Sequence, residues 1–198
     1  MKYITQKRLK YDNLLNHGVT LLMQQGYHGT GLQEILDAVQ IPKGSFYNYF
    51  DSKEQFAAEI INHYITPFIE QLSEYLHAEG DALSALWRYF NEMIAELEKG
   101  NFKGGCLLGN LMGEIGDTSD LCRKALQTAL GTYRDTLEFG LAKAQQQGTI
   151  RSDISAHDMA DLLINAWQGA LLRMKIEQST APLNSCCQNL LGDFFKKV

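Results

Sequence analysis

No apolar run in this sequence approaches the roughly 20 residues that carry a helix across a bilayer, so no membrane span is expected. The start, Met1-Lys-Tyr-Ile-Thr-Gln-Lys-Arg8, is basic with no apolar core behind it, and so does not read as a signal peptide. Cysteine is sparse. Cys106, Cys122, Cys186 and Cys187 show no C-x-x-C spacing and no nearby histidines, which argues against a structural zinc site. Reduced thiols, a cytoplasmic location, no metal and no cofactor are the expectation. Also missing are a G-x-S-x-G elbow, a metal-spaced histidine pair and a Gly-rich phosphate loop, the constellations an enzyme needs. Sustained period-two alternation is absent, as are internal repeats and low-complexity tracts.

What remains is a chain of 198 residues, 45% hydrophobic, with room for one domain or two small ones. Its formal net charge of −5 disguises an asymmetry. Residues 1–53 hold six Lys/Arg against four acids, whereas the remainder holds 12 against 19. A positive end on an acidic chain is the footprint of a protein that meets phosphate at one end only.

The periodicity is helical throughout. Thr5 can cap a first helix running to about Gln25 and ended by Gly26. Ser52-x-x-Gln55 can open a long fourth helix, in which Pro67 should produce a kink or break near His63–Thr66. Asp81 should cap a helix over 82–99, stopped by Gly100. After a glycine-rich loop, a short helix is expected from Cys106 to Ile115. Ser119 should start a long one to Gln147, Ser155 another to about Gln178, and Pro182 a last one to about Lys196. The expected fold class is all-α, with about nine helices.

The densest signal lies at residues 30–49. Thr30 and Gln33 match a T-x-x-Q capping box, and Leu32, Ile35, Leu36 and Val39 give the helix behind it an apolar stripe. Pro42 stops that helix and can open the next, which places Lys43, Gly44 and Ser45 in its first turn. Two short helices joined by a tight turn make a helix-turn-helix, whose second helix reads base edges in the major groove. Phe46 and Phe50, four apart, should face inward, while Tyr47 and Tyr49 point elsewhere with hydroxyls suited to phosphate. Lys43 suits guanine, Ser45 and Asn48 are polar readers, and Gly44 allows close approach to the duplex. Thr30 and Lys53, at helix starts flanking the unit, suit phosphates.

The run Lys43-Gly-Ser-Phe-Tyr-Asn-Tyr-Phe50, followed by Asp51-Ser-Lys-Glu54, resembles the recognition helix and exit turn of TetR-type repressors. The resemblance covers about Thr5 to Tyr64. It implies a DNA-binding domain over 4–64 and an effector-binding and dimerisation domain over 65–198. It also implies a palindromic operator in double-stranded DNA, read by a homodimer joined through its last two helices, about 155–196. The apolar and small residues Leu162, Leu163, Ala166, Gly169, Ala170 and Leu172, with Leu190, Leu191, Phe194 and Phe195, suit that role or the core of a monomer.

The run Gly104-Gly-Cys-Leu-Leu-Gly-Asn-Leu111 resembles one subgroup of that family, whose repressors answer reactive electrophiles or small unsaturated acids such as acrylate. Cys106, at a helix start behind two glycines, has a setting that favours its thiolate. Lys175 can add a cation or snorkel to the surface. A non-covalent effector is the competing reading, with Trp87, Phe90, Phe102, Met112, Tyr133 and Trp167 lining an apolar cavity or filling the core. His63, Asn110, Glu114 and Gln168 are its polar candidates. A thiol hydrolase pairing Cys106 with His63 or His77, and a DNA binder without an effector, complete the alternatives.

Overall fold

The computed structural model describes residues 2–197, with side chains from Arg8 onward. Among these residues the secondary structure is helical apart from one isolated bridge, Ile150 to Lys196. The helices are α1 (Lys2–Gly29), α2 (Leu32–Ala38), α3 (Lys43–Phe46), α4 (Lys53–His77), α5 (Ala82–Lys99), α6 (Leu107–Ile115), α7 (Asp120–Gln146), α8 (Ala156–Glu177) and α9 (Ala181–Cys187). Beyond α9 the winding loosens to a π-helical stretch, Gln188–Phe194, so the last helix stops short of Lys196.

Two compact units divide the chain. The first contains the residues up to Thr66 together with Cys106–Ala129, and the second contains Pro67–Gly105 and the residues from Leu130 onward. In the first unit Leu14, Leu22, Ile35, Leu36, Phe46, Phe50, Phe56, Ile60 and Ile61 form the core, joined by Leu107, Leu108 and Leu111 of α6. In the second, Tyr89, Phe90, Leu137, Leu141, Met159, Leu163, Trp167, Leu183 and Phe195 are buried. No helix among the described residues is long and apolar enough to cross a membrane.

Several helix starts follow local chemistry. Asp81 accepts from the N–H groups of Leu83 and Ser84, and Ser155 accepts from that of Asp158. Ser52 accepts from Gln55 N–H at 3.0 Å, while the Gln55 side chain returns to Asp51 N–H at 2.6 Å. Each bond satisfies a donor that a helix start leaves orphaned.

Other expectations are corrected. Helix α1 begins at Lys2, ahead of Thr5, whose side chain lies outside the described residues. Gly26 does interrupt α1, with φ 75° and ψ 178°, but helical turns resume through Gly29. Thr30 caps nothing: Gly31 is the N-cap of α2, and the Thr30 hydroxyl instead donates to the Gly26 carbonyl at 2.7 Å. Gln33 donates to Asp37 rather than completing a box. Pro42 is the extended N-cap of α3, not its first helical residue. Likewise Cys106 is the N-cap of α6, one residue ahead of its first turn. Helix α4 does not break at Pro67. The missing N–H leaves the His63 carbonyl without its intrahelical partner. Buried Ile60, Ile61 and Ile65 before the proline, and Leu72 and Leu76 after it, hold each half in place.

Candidate nucleic-acid interface

Helix α2 ends in a turn that delivers α3. Gln40 takes the left-handed conformation (φ 52°), Ile41 N–H donates to the Leu36 carbonyl at 3.0 Å and Gln40 N–H donates to Asp37 at 3.3 Å. This pair of bonds is a Schellman closure, which uses up α2's terminal carbonyls and turns the chain sharply into Pro42. Helix α3 holds one regular turn and then tightens, with Asn48 N–H to Ser45 and Tyr49 N–H to Phe46 replacing the wider helical pattern.

So short a helix cannot hold itself, and its buried face does the holding. Phe46 and Phe50 are buried, their ring centroids 5.2 Å apart. Phe50 lies 4.8 Å from Phe56 and is stacked 5.3 Å from Tyr11. The opposite face is bare. Lys43, Gly44, Tyr47 and Asn48 are exposed, and Ser45 and Tyr49 are half-buried. A Cβ built on Gly44 would meet nothing within 4 Å, so a duplex can approach the backbone there. Tyr49 packs against Tyr11 at 6.1 Å.

Two residues expected at phosphates are engaged elsewhere. Thr30 is 1% exposed and its hydroxyl is committed to Gly26. Lys53 donates its ammonium to the Tyr27 carbonyl at 2.6 Å and lies 4.2 Å from the Tyr27 ring centroid. Burial lowers its pKa, against the opposing pull of Glu114. Both side chains bond to backbone carbonyls at the end of α1.

The residues proposed for effector sensing fall in both units. In the first, His63 Nε2 is 2.8 Å from Asn16 Oδ1, and the Asn110 amide reaches Met23 Sδ at 3.6 Å. Cys106 is half-buried, preceded by Gly104 and Gly105 at φ 81° and 76°. In the second unit, Trp167 packs edge-on to Phe90 at 4.8 Å, and the Tyr89 hydroxyl donates to that of Tyr133 at 3.1 Å. Trp87, Phe102 and Lys175 are half-buried, Phe102 with a left-handed backbone. A Cβ on Gly105 would lie 2.8 Å from Lys175 Cε, and its φ of 76° is one that residues other than glycine rarely adopt.

The remaining thiols are buried. Cys122 donates to the Glu54 carbonyl at 3.6 Å, and burial pushes its thiol up. Burial also raises Cys186 to about 11 and Cys187 to about 12. None of the three is a ready thiolate.

Sequence reading assigned Glu114 to ligand binding, whereas its carboxylate accepts from Tyr27 N–H at 2.8 Å and His28 N–H at 2.6 Å. A signal was present. Glu114 is the penultimate residue of α6, where the helix dipole disfavours an anion, so a compensating donor was to be expected.

Two family models match the chain. Residues 14–60 match "Bacterial regulatory proteins, tetR family" and residues 82–190 match "Tetracyclin repressor-like, C-terminal domain". The HTH-type transcriptional repressor DhaR of a Mycobacterium species is 34% identical, over 87% of this chain and 86% of that one. The transcriptional regulator AcuR of Cereibacter sphaeroides is 35% identical over 89% and 81%. The crystal structure of the reduced form of Escherichia coli NemR superposes with a TM-score of 0.85 at 28% identity, covering 91% of this chain and 94% of that one. The chain belongs to the TetR family of bacterial transcriptional regulators.

Proposed function

We propose that the protein acts as a homodimer whose two α3 helices read a palindromic operator in successive major grooves, and that a small effector releases it. The carrying observation is the two-faced α3, with Phe46 and Phe50 buried beneath an exposed Lys43, Gly44, Tyr47 and Asn48. Lys43 reads a base, Ser45 and Asn48 supply further polar contacts, and the Tyr47 and Tyr49 hydroxyls position the phosphate backbone. In this reading residues 4–64 contact DNA and 65–198 carry the effector and dimer functions. Twofold pairing uses α8 and the last helix, because a single head reads too few bases for specificity.

Lys43→Ala is expected to weaken operator binding by about 1–3 kcal/mol and to relax preference at one base position. Fluorescence anisotropy on operator variants at fixed salt checks this. An unchanged ranking of the variants would remove Lys43 from base reading.

For the effector, we infer a soft electrophile that reacts at Cys106. The thiol stands half-buried at the N-cap of α6 behind two glycines in the left-handed region, whereas the other three thiols are buried. With an enal, the sulfur attacks the β-carbon, a C–S bond forms, the C=C electrons move to the carbonyl, and water protonates the enolate. The segment Cys106–Ala129 folds with the reading unit, so a change at Cys106 occurs within that unit. An enal or quinone is expected to release wild type from DNA and leave Cys106→Ser bound, with the adduct visible by intact-mass spectrometry. Release of both chains alike would point to a non-covalent ligand among Trp87, Phe102, Tyr133 and Trp167, with Lys175 orienting it. If neither chain is released, the electrophile reading is excluded.

A further inference from the structure

Helix α1 is broken at Gly26, and the break exposes backbone groups immediately before the helix-turn-helix begins. A resumed helical turn starts with N–H donors that have no intrahelical acceptor, and a local Ser, Asp or Asn usually supplies one. The local sequence, Tyr27-His-Gly-Thr30, has none in the right place. The acceptor comes instead from 86 positions further along the chain. Both oxygens of Glu114 engage the break, Oε2 to Tyr27 N–H at 2.8 Å and Oε1 to His28 N–H at 2.6 Å. A carboxylate accepting two backbone N–H groups makes charge-assisted bonds, stronger than neutral ones and fixed in direction.

The fit depends on Gly26. Its φ of 75° and ψ of 178° fall in a region that essentially only glycine occupies. A Cβ there would sit 2.6 Å from Glu114 Oε2. The other groups at the break are closed as well, since Thr30 donates to the Gly26 carbonyl and Lys53 to that of Tyr27. Every group fixed in this way lies within a few residues of the start of α2, which carries α3.

We infer that Glu114 is a positioning residue for operator binding, its carboxylate acting as a remote cap that holds the broken end of α1 and so fixes the direction in which α2 and α3 leave it. With the cap gone, the reading head samples other orientations, and apparent operator affinity falls with the fraction that remains competent. The sensor thiol and the cap share α6, at its N-cap and its penultimate residue, so a displacement of α6 acts directly on the reading head. The inference rests on α3 being the DNA reader.

Glu114→Gln preserves size but replaces one acceptor oxygen with a donor that faces an N–H. Operator affinity is expected to fall about tenfold, the cost of one charge-assisted bond. Binding to a scrambled duplex, driven by phosphate charge, should stay within about twofold. Hydrogen exchange at the Tyr27 and His28 amides should quicken by about tenfold or more. Gly26→Ala should reproduce all three effects with Glu114 intact, which guards against a folding defect peculiar to one variant. Unchanged exchange in both variants would overturn the cap itself. Faster exchange with unchanged operator affinity, or with equal losses on both duplexes, would overturn the positioning role. If Lys43→Ala also proved silent, the reading of α3 would fail, and the exchange data would still report on the cap separately.

Discussion

A Gly169→Arg chain is expected to be monomeric at concentrations where the wild type is dimeric, and to lose operator affinity by about 100-fold or more. The residue sits on the outer side of α8, and a Cβ built on it meets nothing within 4 Å, so the fold of a single chain accommodates the new side chain. The same side carries Leu162, Leu172 and Ile176, which are 41%, 55% and 84% exposed. Positions 162, 169 and 176 are seven apart, so they fall along one line of the helix. In the proposed homodimer these bare apolar side chains form the surface that the partner covers, and a glycine midway lets a second helix approach closely.

Twofold symmetry doubles the damage, because each interface would carry two arginines in an apolar setting. Losing the partner costs more than the contacts themselves. Once one head is docked, the second binds at a high effective concentration, and a monomer forfeits that gain. Sedimentation velocity and anisotropy on the same samples check both halves. Replacing glycine inside a helix raises intrinsic helix propensity, so circular dichroism should show a fully helical monomer, with a thermal midpoint no longer dependent on concentration. A Gly169→Arg dimer with intact operator binding would place the interface elsewhere.

Local patterns gave much of the fold. Asp81, Ser155 and Ser52 act within three residues of themselves, so the sequence around each already contained its hydrogen-bond partners. The inward Phe46 and Phe50 followed from a spacing of four in the same way. Thr30 was misread because its hydroxyl faces two helix ends at once. The pattern ahead favoured a cap on α2, yet the carbonyl exposed by the break at Gly26 lies four residues behind and takes the bond. Lys53 looked like a free cation at a helix start, and only the folded chain shows the Tyr27 carbonyl and ring beside it. Pro67 signalled a kink or break; α4 does not break there, and the boundary between the two compact units falls at Thr66–Pro67. The grouping of Cys106–Ala129 with the first 66 residues depends on contacts some 90 residues apart, which no local window contains.

Phe50→Ala is expected to destabilise the reading unit by about 3–5 kcal/mol, a large share of the roughly 5–15 kcal/mol that holds a typical domain. The ring is 1% exposed and sits among four others, with centroids at 4.8 Å to Phe56, 5.2 Å to Phe46, 5.3 Å to Tyr11 and 6.3 Å to Tyr49. Truncation therefore removes the buried ring area and the favoured tilted and stacked pairings, and it leaves a cavity under a helix of only four residues. Helix α3 has almost no stability of its own, so the loss falls on the orientation of Lys43 and Tyr47. Operator binding should disappear along with the lost stability, whereas Phe50→Leu, which refills most of the volume, should restore much of both. Tyr47→Ala on the opposite face, 51% exposed, should change stability by only about 0.5 kcal/mol while weakening DNA binding. Urea denaturation followed by circular dichroism, paired with anisotropy, separates the two faces of one short helix. A Phe50→Ala midpoint close to that of wild type would mean that the aromatic cluster does not hold the reading helix in place.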